Sequence, residues 1–229
     1  MGRLIDDPHL RHRTGVFPDR ERAGALLAEK LLALEAEHPL LFAIPAGGVP
    51  VAVPIARRLD IPLELVIVRK IQLPWTTEAG FGALDPDGRA IFNEELMARL
   101  HLSPAAVEAQ TAKTLASLKA REDRLRGGRP YPELDGRAAI VVDDGLASGY
   151  TMRAGAAFLK RRGAGGVIIA VPTGCQATVG GLLPEVDTLV CLNVRGGYTF
   201  AVADAYEYWY DVSPEEVLEL LASLPPRRN

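Results

Sequence analysis

The stretch IVVDDGLASGYTMRAG, residues 140–155, decides the reading of this chain. Ile140, Val141 and Val142 form a β-branched run too apolar for a surface strand, which is the composition of a strand covered on both faces of a parallel sheet. Asp143 and Asp144 follow where such a strand leaves the sheet, and open α/β sheets bind ligands at that carboxyl edge. Gly145 and Gly149 permit close backbone approach, and Ser148 and Thr151 supply hydroxyls. The amides of a loop that runs into a helix point outward, ready for a phosphate. The paired carboxylates do not suit that phosphate directly. They suit sugar hydroxyls, a sugar carbon gathering positive charge, or Mg2+ held through water. The plain alternative is a turn in which both aspartates act as caps.

Working outward, Leu40 to Ile44 reads as a short buried strand, Pro45-Ala46-Gly47-Gly48 as a tight loop, and Val49 to Leu59 as a helix. Strand, glycine pair and helix again make an anion-binding geometry, with the amides of Gly47, Gly48 and Val49 as donors. Leu63 to Val68 is a further buried strand, and Arg69 and Lys70 leave its end. Two cations there suit a diphosphate, or are ordinary solvated ends. Residues 71–90 are broken by Pro74, Gly80, Gly82, Pro86 and Gly88. They read either as a mobile lid that excludes water from a reactive centre, with Glu78 near the nucleophile or orienting Lys70, or as a surface hairpin with Phe81 and Leu84 tucked inward.

The remaining pattern alternates strand and helix. A helix over 20–36 carries Ala23, Leu26, Leu27, Leu31 and Leu34 on one face, with Arg20 largely off it. Asn93 caps a short helix, and Ser103-Pro104 starts a longer one towards Arg126. Beyond the opening stretch come a helix over Met152 to Arg162, a strand over Val167 to Val171, a short helix over Thr178 to Leu183 and a strand over Leu189 to Leu192. This order predicts an α/β fold with a mostly parallel central sheet flanked by helices. The aromatics Tyr198, Phe200, Tyr206, Tyr208, Trp209 and Tyr210 crowd into the tail. They either stack on a planar base, with Asn193 and Arg195 adding polar contacts, or form core for a short C-terminal segment ending in a Ser213-capped helix.

VVDDGLASGYT resembles the phosphoribosyl pyrophosphate signature of type I phosphoribosyltransferases. FPDRERAGALLAEKL (17–31), IPAGGVPVAVPIARRL (44–59), VRKIQLPWTTEAGFGAL (68–84), IFNEELMARL (91–100), RGGRPYPELDGRAAIVVDDG (126–145) and YEYWYDVSPEEVLELL (206–221) resemble a bacterial and archaeal group of that family with no assigned base. The resemblance implies a type I phosphoribosyltransferase-like fold as one domain over residues 1–229, with a small hood from 1–20 and 193–229. It implies that Asp143 and Asp144 bracket the ribose hydroxyls and serve Mg2+, and that Gly145, Leu146, Ala147, Ser148, Gly149 and Thr151 cradle the 5′-phosphate. Gly47, Gly48 and Val49 become the pyrophosphate loop, which departs from the family pattern in carrying Ala46 where an arginine is typical. The activity implied is Mg2+-dependent transfer of a 5-phosphoribosyl group between phosphoribosyl pyrophosphate and a nitrogenous base or other nitrogen nucleophile. Arg69 and Lys70 would support the departing diphosphate and Glu78 would act near the nucleophile. The alternative is a non-catalytic sensor of the same donor or of a nucleotide. A homodimer is the expected assembly.

Composition narrows the field. A chain of 229 residues, 48% hydrophobic, can bury one substantial core. A formal charge of -3 offers no basic field to a nucleic-acid backbone. Cys175 and Cys191, and His9, His12, His38 and His101, show no metal-ligand spacing, and the first residues read as a ragged terminus. No Walker motif or nucleophile elbow is present. No leader or membrane-spanning stretch is visible, so the expected setting is the cytoplasm.

Overall fold

The computed structural model describes residues 2–34, 38–77, 79–197 and 199–225. In chain order the elements are β1 (Arg3–Ile5), α1 (Arg20–Leu32), β2 (Leu40–Ala43), α2 (Gly48–Leu59), β3 (Leu63–Leu65), β4 (Arg69–Gln72), β5 (Gly80–Leu84) and β6 (Ala90–Phe92). They continue with α3 (Glu94–Arg99), α4 (Pro104–Arg126), β7 (Ala138–Val142), α5 (Tyr150–Arg161), β8 (Gly166–Cys175), α6 (Gln176–Leu182), β9 (Thr188–Arg195) and α7 (Pro214–Ala222). The main sheet runs β1-β9-β8-β7-β2-β3 with every neighbouring pair parallel. A separate antiparallel sheet has the order β4-β5-β6.

Both faces of the main sheet are covered, which is why its strands read as continuous apolar runs. Leu41, Ala43, Ile140 and Val142 pack with α1 and α2, while Leu40, Phe42, Ala139 and Val141 pack with α5 and α6. Asp19 caps α1, its carboxylate accepting from the Arg22 amide at 2.8 Å. The buried face of α1 is Arg20, Ala23, Gly24, Leu27, Ala28 and Leu31, and Leu26 faces solvent. The expectation that Arg20 lies off the buried face is therefore wrong, and its reason belongs to the site. Asn93, Ser103 and Ser213 cap α3, α4 and α7 as their sequence predicts.

Four expectations need correction. The strand expected over 63–68 stops at Leu65, and Arg69 begins a strand of the second sheet rather than ending one of the first. Residues 71–90 hold the end of β4, all of β5 and the start of β6, paired antiparallel with Phe81 and Leu84 fully buried, so the hairpin alternative is the one that forms. β8 extends through Pro172 to Cys175. Its pairing with β7 ends at Ala170 and pairing on that side resumes only where Leu146 bridges Gly174, so Pro172 falls in the gap between them, a setting that tolerates proline. The N-terminus is not ragged: Arg3 to Ile5 form an edge strand against β9. Among the described residues no helix is long and apolar enough to cross a membrane.

Candidate active site

Register builds the site. Ala43 of β2 pairs with Val142 of β7, so the two strand exits, 44–47 and 143–149, emerge side by side. They are packed too closely for side chains between them. A Cβ on Gly47 would fall 1.9 Å from Asp144 Oδ2, and one on Gly48 would fall 2.7 Å from the Val142 carbonyl oxygen. The two glycines are required by this approach. The Pro45–Ala46 peptide is cis.

A cleft of about 210 Å3 opens on one side, lined by Ile44, Pro45, Val68, Arg69, Lys70, Gln72, Asp143 and Thr151. The arginine and lysine expected from sequence thus reach the cleft from β4 and face the first aspartate of the pair. Burial pushes the Asp143 carboxyl well above the usual carboxylate range, and the charge of Asp144 adds to it. Arg121 lies on α4. Burial lowers its affinity for its proton, and the charges of Arg69 and Arg124 lower it further.

Asp144, whose amide donates to Asp143 Oδ1 at 2.9 Å, also meets Arg20. Its Oδ2 accepts from Arg20 Nε at 3.0 Å, and its backbone carbonyl accepts from the Tyr206 hydroxyl at 2.6 Å. Arg20 Nη1 donates to the Tyr210 carbonyl at 3.0 Å, and the guanidinium carbon lies 3.8 Å from the Trp209 ring centroid. Phe17, Tyr206 and Trp209 form a chain of tilted rings around it. Burial raises the Asp144 carboxyl as well, but Arg20 opposes the rise. The same burial, together with Asp144, raises the Tyr206 phenol well above its ordinary value and keeps it a donor.

The signature loop divides into a fixed half and an open half. The Leu146 amide donates to the Thr173 carbonyl, and the Leu146 carbonyl accepts from the Cys175 amide, both at 2.9 Å. A Cβ on Gly145 would meet Val202 at 2.6 Å. Ala147 and Ser148 are exposed, and Gly149, with φ of +79°, starts α5 without a side-chain cap. The first turn of α5 carries no acidic residue, so Ala147 to Thr151 present the amides and hydroxyls that suit an anion. The Pro45–Gly48 loop offers less than its glycines imply, because the Gly48 and Val49 amides already donate to the Ile44 and Ala46 carbonyls.

Other expected residues fall elsewhere. Asn193 is buried and donates to the Leu10 and Arg13 carbonyls, and Arg195 is held by Asp204 and the Ala201 carbonyl. Both side chains bind the N-terminal and 201–205 segments rather than standing free for a base. Phe200 lies against Arg195, 5.1 Å from guanidinium to ring centre. Glu78 and Tyr198, expected near the nucleophile and the base, lie outside the described residues. Among the described residues no group of three or more His, Cys, Asp or Glu is arranged to hold a metal ion. Arg20 is the residue that sequence reasoning missed. Its only signal was a charged residue at the first helical position of α1, directly after a capping aspartate.

The profile of the phosphoribosyl transferase domain matches residues 18–181. A protein of two Mycobacterium tuberculosis strains, provisionally named a phosphoribosyl transferase, is 37% identical over 206 residues, which cover 90% of this chain and 46% of that protein. The chain thus spans about half the length of the curated relatives it matches. The crystal structure of TT1426 from Thermus thermophilus is 34% identical and superposes with a TM-score of 0.73, covering 90% of this chain and 97% of that one.

Proposed function

The chain belongs to the phosphoribosyl transferase domain family, and on that premise we propose that it transfers a 5-phosphoribosyl group between phosphoribosyl pyrophosphate and a nitrogenous base or other nitrogen nucleophile. The observation that carries this reading is the cleft in which Asp143, Arg69, Lys70 and Thr151 meet beside an uncapped helix N-terminus. The 5′-phosphate takes the amides and hydroxyls of Ala147 to Thr151, in the absence of any competing acid in the first turn of α5. Asp143 accepts from ribose hydroxyls and faces the anomeric carbon with negative charge. The bond from that carbon to pyrophosphate breaks with its electron pair leaving on pyrophosphate oxygen. The bond to the incoming nitrogen forms, and that nitrogen loses a proton. Arg69 and Lys70 neutralise the departing diphosphate, and alignment with charge stabilisation supplies most of the acceleration.

The donor set fits Mg2+ as the cofactor. Magnesium takes one or two carboxylates together with substrate phosphates rather than a cage made by protein alone, and one cleft-facing carboxylate beside a phosphate cradle is such a set. When bound, the ion withdraws charge from the pyrophosphate oxygens. Asp143 is the residue that would hold it.

The test is pyrophosphate release from phosphoribosyl pyrophosphate with Mg2+, across a panel of purine and pyrimidine bases. Release that depends on one base supports the transferase and names its acceptor. Donor binding without release for any acceptor moves the protein to the sensor alternative. Folded protein that binds no donor by calorimetry removes the reading.

A further inference from the structure

We propose that Arg121 and Arg69 form a paired-guanidinium site between α4 and β4 that takes a diphosphate, either on the donor or as the released product. This rests on the reading of the cleft as the donor site. α4 packs along β4. Arg121 follows Thr114 and Leu118 and precedes Leu125 at the three- and four-residue spacing of one helix face, the face that α4 buries. Leu118 and Leu125 belong to the same core cluster as Ile71 of β4, and Arg69, two residues before Ile71 on that strand, shares its side. Arg69 also lines the cleft with Asp143 and Thr151, so it joins the two places.

Among the described residues, no hydrogen bond or ion pair joins the side chain of Arg69 or Arg121 to any group. Arg121 Nε is buried without a hydrogen bond, while its two Nη groups are not shut off from solvent. Arg126 and Arg162 also have a buried Nε without a hydrogen bond, but their Nη groups are engaged, by Glu64 and the Leu65 carbonyl and by Glu133 and the Tyr131 carbonyl. The acids of this part of α4 are turned to other work. Glu122 accepts from the Tyr131 hydroxyl and pairs with Arg126 at 3.6 Å. Asp123 is exposed and, two positions along the helix, does not face Arg121. Burial and the charges of Arg69 and Arg124 therefore act on Arg121 with no carboxylate opposing them. A part-buried cation without a counter-charge is costly, and folded proteins pair such a group or keep it for a ligand. Two guanidiniums free of carboxylates offer planar forks that match phosphate oxygens.

Calorimetry at fixed ionic strength with Mg2+ tests this, using pyrophosphate, ribose 5-phosphate and phosphoribosyl pyrophosphate as probes. The proteins are wild type, Arg121→Gln, Arg121→Lys and Arg124→Gln, each first checked for folding by circular dichroism. Arg124→Gln removes the same charge from an exposed ion pair on the same helix. Arg121→Gln is expected to weaken pyrophosphate about ten-fold, the scale of one lost charge-assisted hydrogen bond, and to leave ribose 5-phosphate unchanged. Arg121→Lys, which keeps the charge without the fork, should lose about three-fold. Arg124→Gln should bind all three probes as wild type does. A matching loss for phosphoribosyl pyrophosphate assigns the pair to the donor, and a loss confined to pyrophosphate assigns it to the released product. Unchanged pyrophosphate and donor affinity in Arg121→Gln, an equal loss for ribose 5-phosphate, or an equal loss in Arg124→Gln overturns the proposal. If Arg121→Gln does not fold, Arg121→Lys decides, and unchanged affinity there overturns it. Wild type that binds pyrophosphate through Arg121 but neither sugar phosphate would end the functional reading and leave the anion site standing. Wild type that binds the donor equally well with and without Arg121 would do the reverse.

Discussion

Asp143 and Asp144 are neighbours in the chain and sit in opposite kinds of surroundings. On the cleft side, Asp143 shares an open space with Arg69, Lys70 and Thr151, and burial with an adjacent like charge raises its carboxyl far above the ordinary range. On the clamp side, Asp144 has a buried guanidinium, a tyrosine hydroxyl and three aromatic rings packed around its partner. Burial raises both carboxyls, but Asp143 has only the Asp144 amide at 2.9 Å and the cleft beside it, whereas Asp144 has Arg20 to oppose the rise. The difference teaches that adjacent residues of one motif can meet the same burial with different partners.

The sharpest way to break this contrast is Asp143→Asn. Pyrophosphate release should fall about 10²–10³-fold, the scale of losing one group that meets developing charge. The same unliganded variant should melt higher than wild type at neutral pH. The sign follows from the raised carboxyl of Asp143: its stability contribution is full below the ordinary carboxylate value and is lost as pH rises through the raised one. Melting temperatures across about pH 4 to 8 should show wild type losing more stability than the variant. Parallel profiles would mean that Asp143 carries no strain. Next in size is Gly47→Ala, whose new Cβ falls 1.9 Å from Asp144 Oδ2 and must displace either the loop or the clamp. Urea titration should show a loss of about 1–3 kcal/mol. Trp209→Leu removes the ring beneath Arg20 and should cost about 1–2 kcal/mol in the same measurement, with no loss meaning the clamp holds without its aromatic side. The smallest effect belongs to Trp75→Ser, in the connection between β4 and β5. Trp75 is 63% exposed, and its replacement should leave stability within about 0.5 kcal/mol. A larger loss would show that this connection is packed more tightly than the exposure of Trp75 implies.

Much of the cleft side was legible because local chemistry writes it. The apolar run before Asp143, the glycines at 47–48 and 145–149, and the cations at 69–70 each announce themselves within a few residues. Parallel register then brings them together, and that register follows from strand order. The clamp side was not legible. Helical periodicity places a charged residue such as Arg20 off the apolar face, and nothing within a turn of it reveals a carboxylate waiting elsewhere. The aromatic tail was visible as a cluster, but base stacking and core were equally consistent with its composition. The break between β3 and β4 was hidden because Val66, Ile67 and Val68 continue the apolar run through the connection and are buried there. Hydrogen bonding that uses up the Gly48 and Val49 amides also leaves no trace in residue identity.

The separation of Arg20 from its partners bears on how the molecule comes into being. Its carboxylate partner lies 124 residues downstream and its carbonyl partner 190 downstream. At translation speeds of about 5–20 residues per second, on the order of ten seconds or more pass between the synthesis of Arg20 and that of Tyr210. Contacts between such distant residues also form slowly, because a long loop must close before they are rewarded. α1 therefore waits on the nascent chain with an unanswered cation, and the signature aspartates emerge before the aromatic segment that packs on it. A chain halted short of Tyr206 would carry every residue of the cleft and still lack the aromatic half of the clamp that holds Arg20 and Asp144 in place.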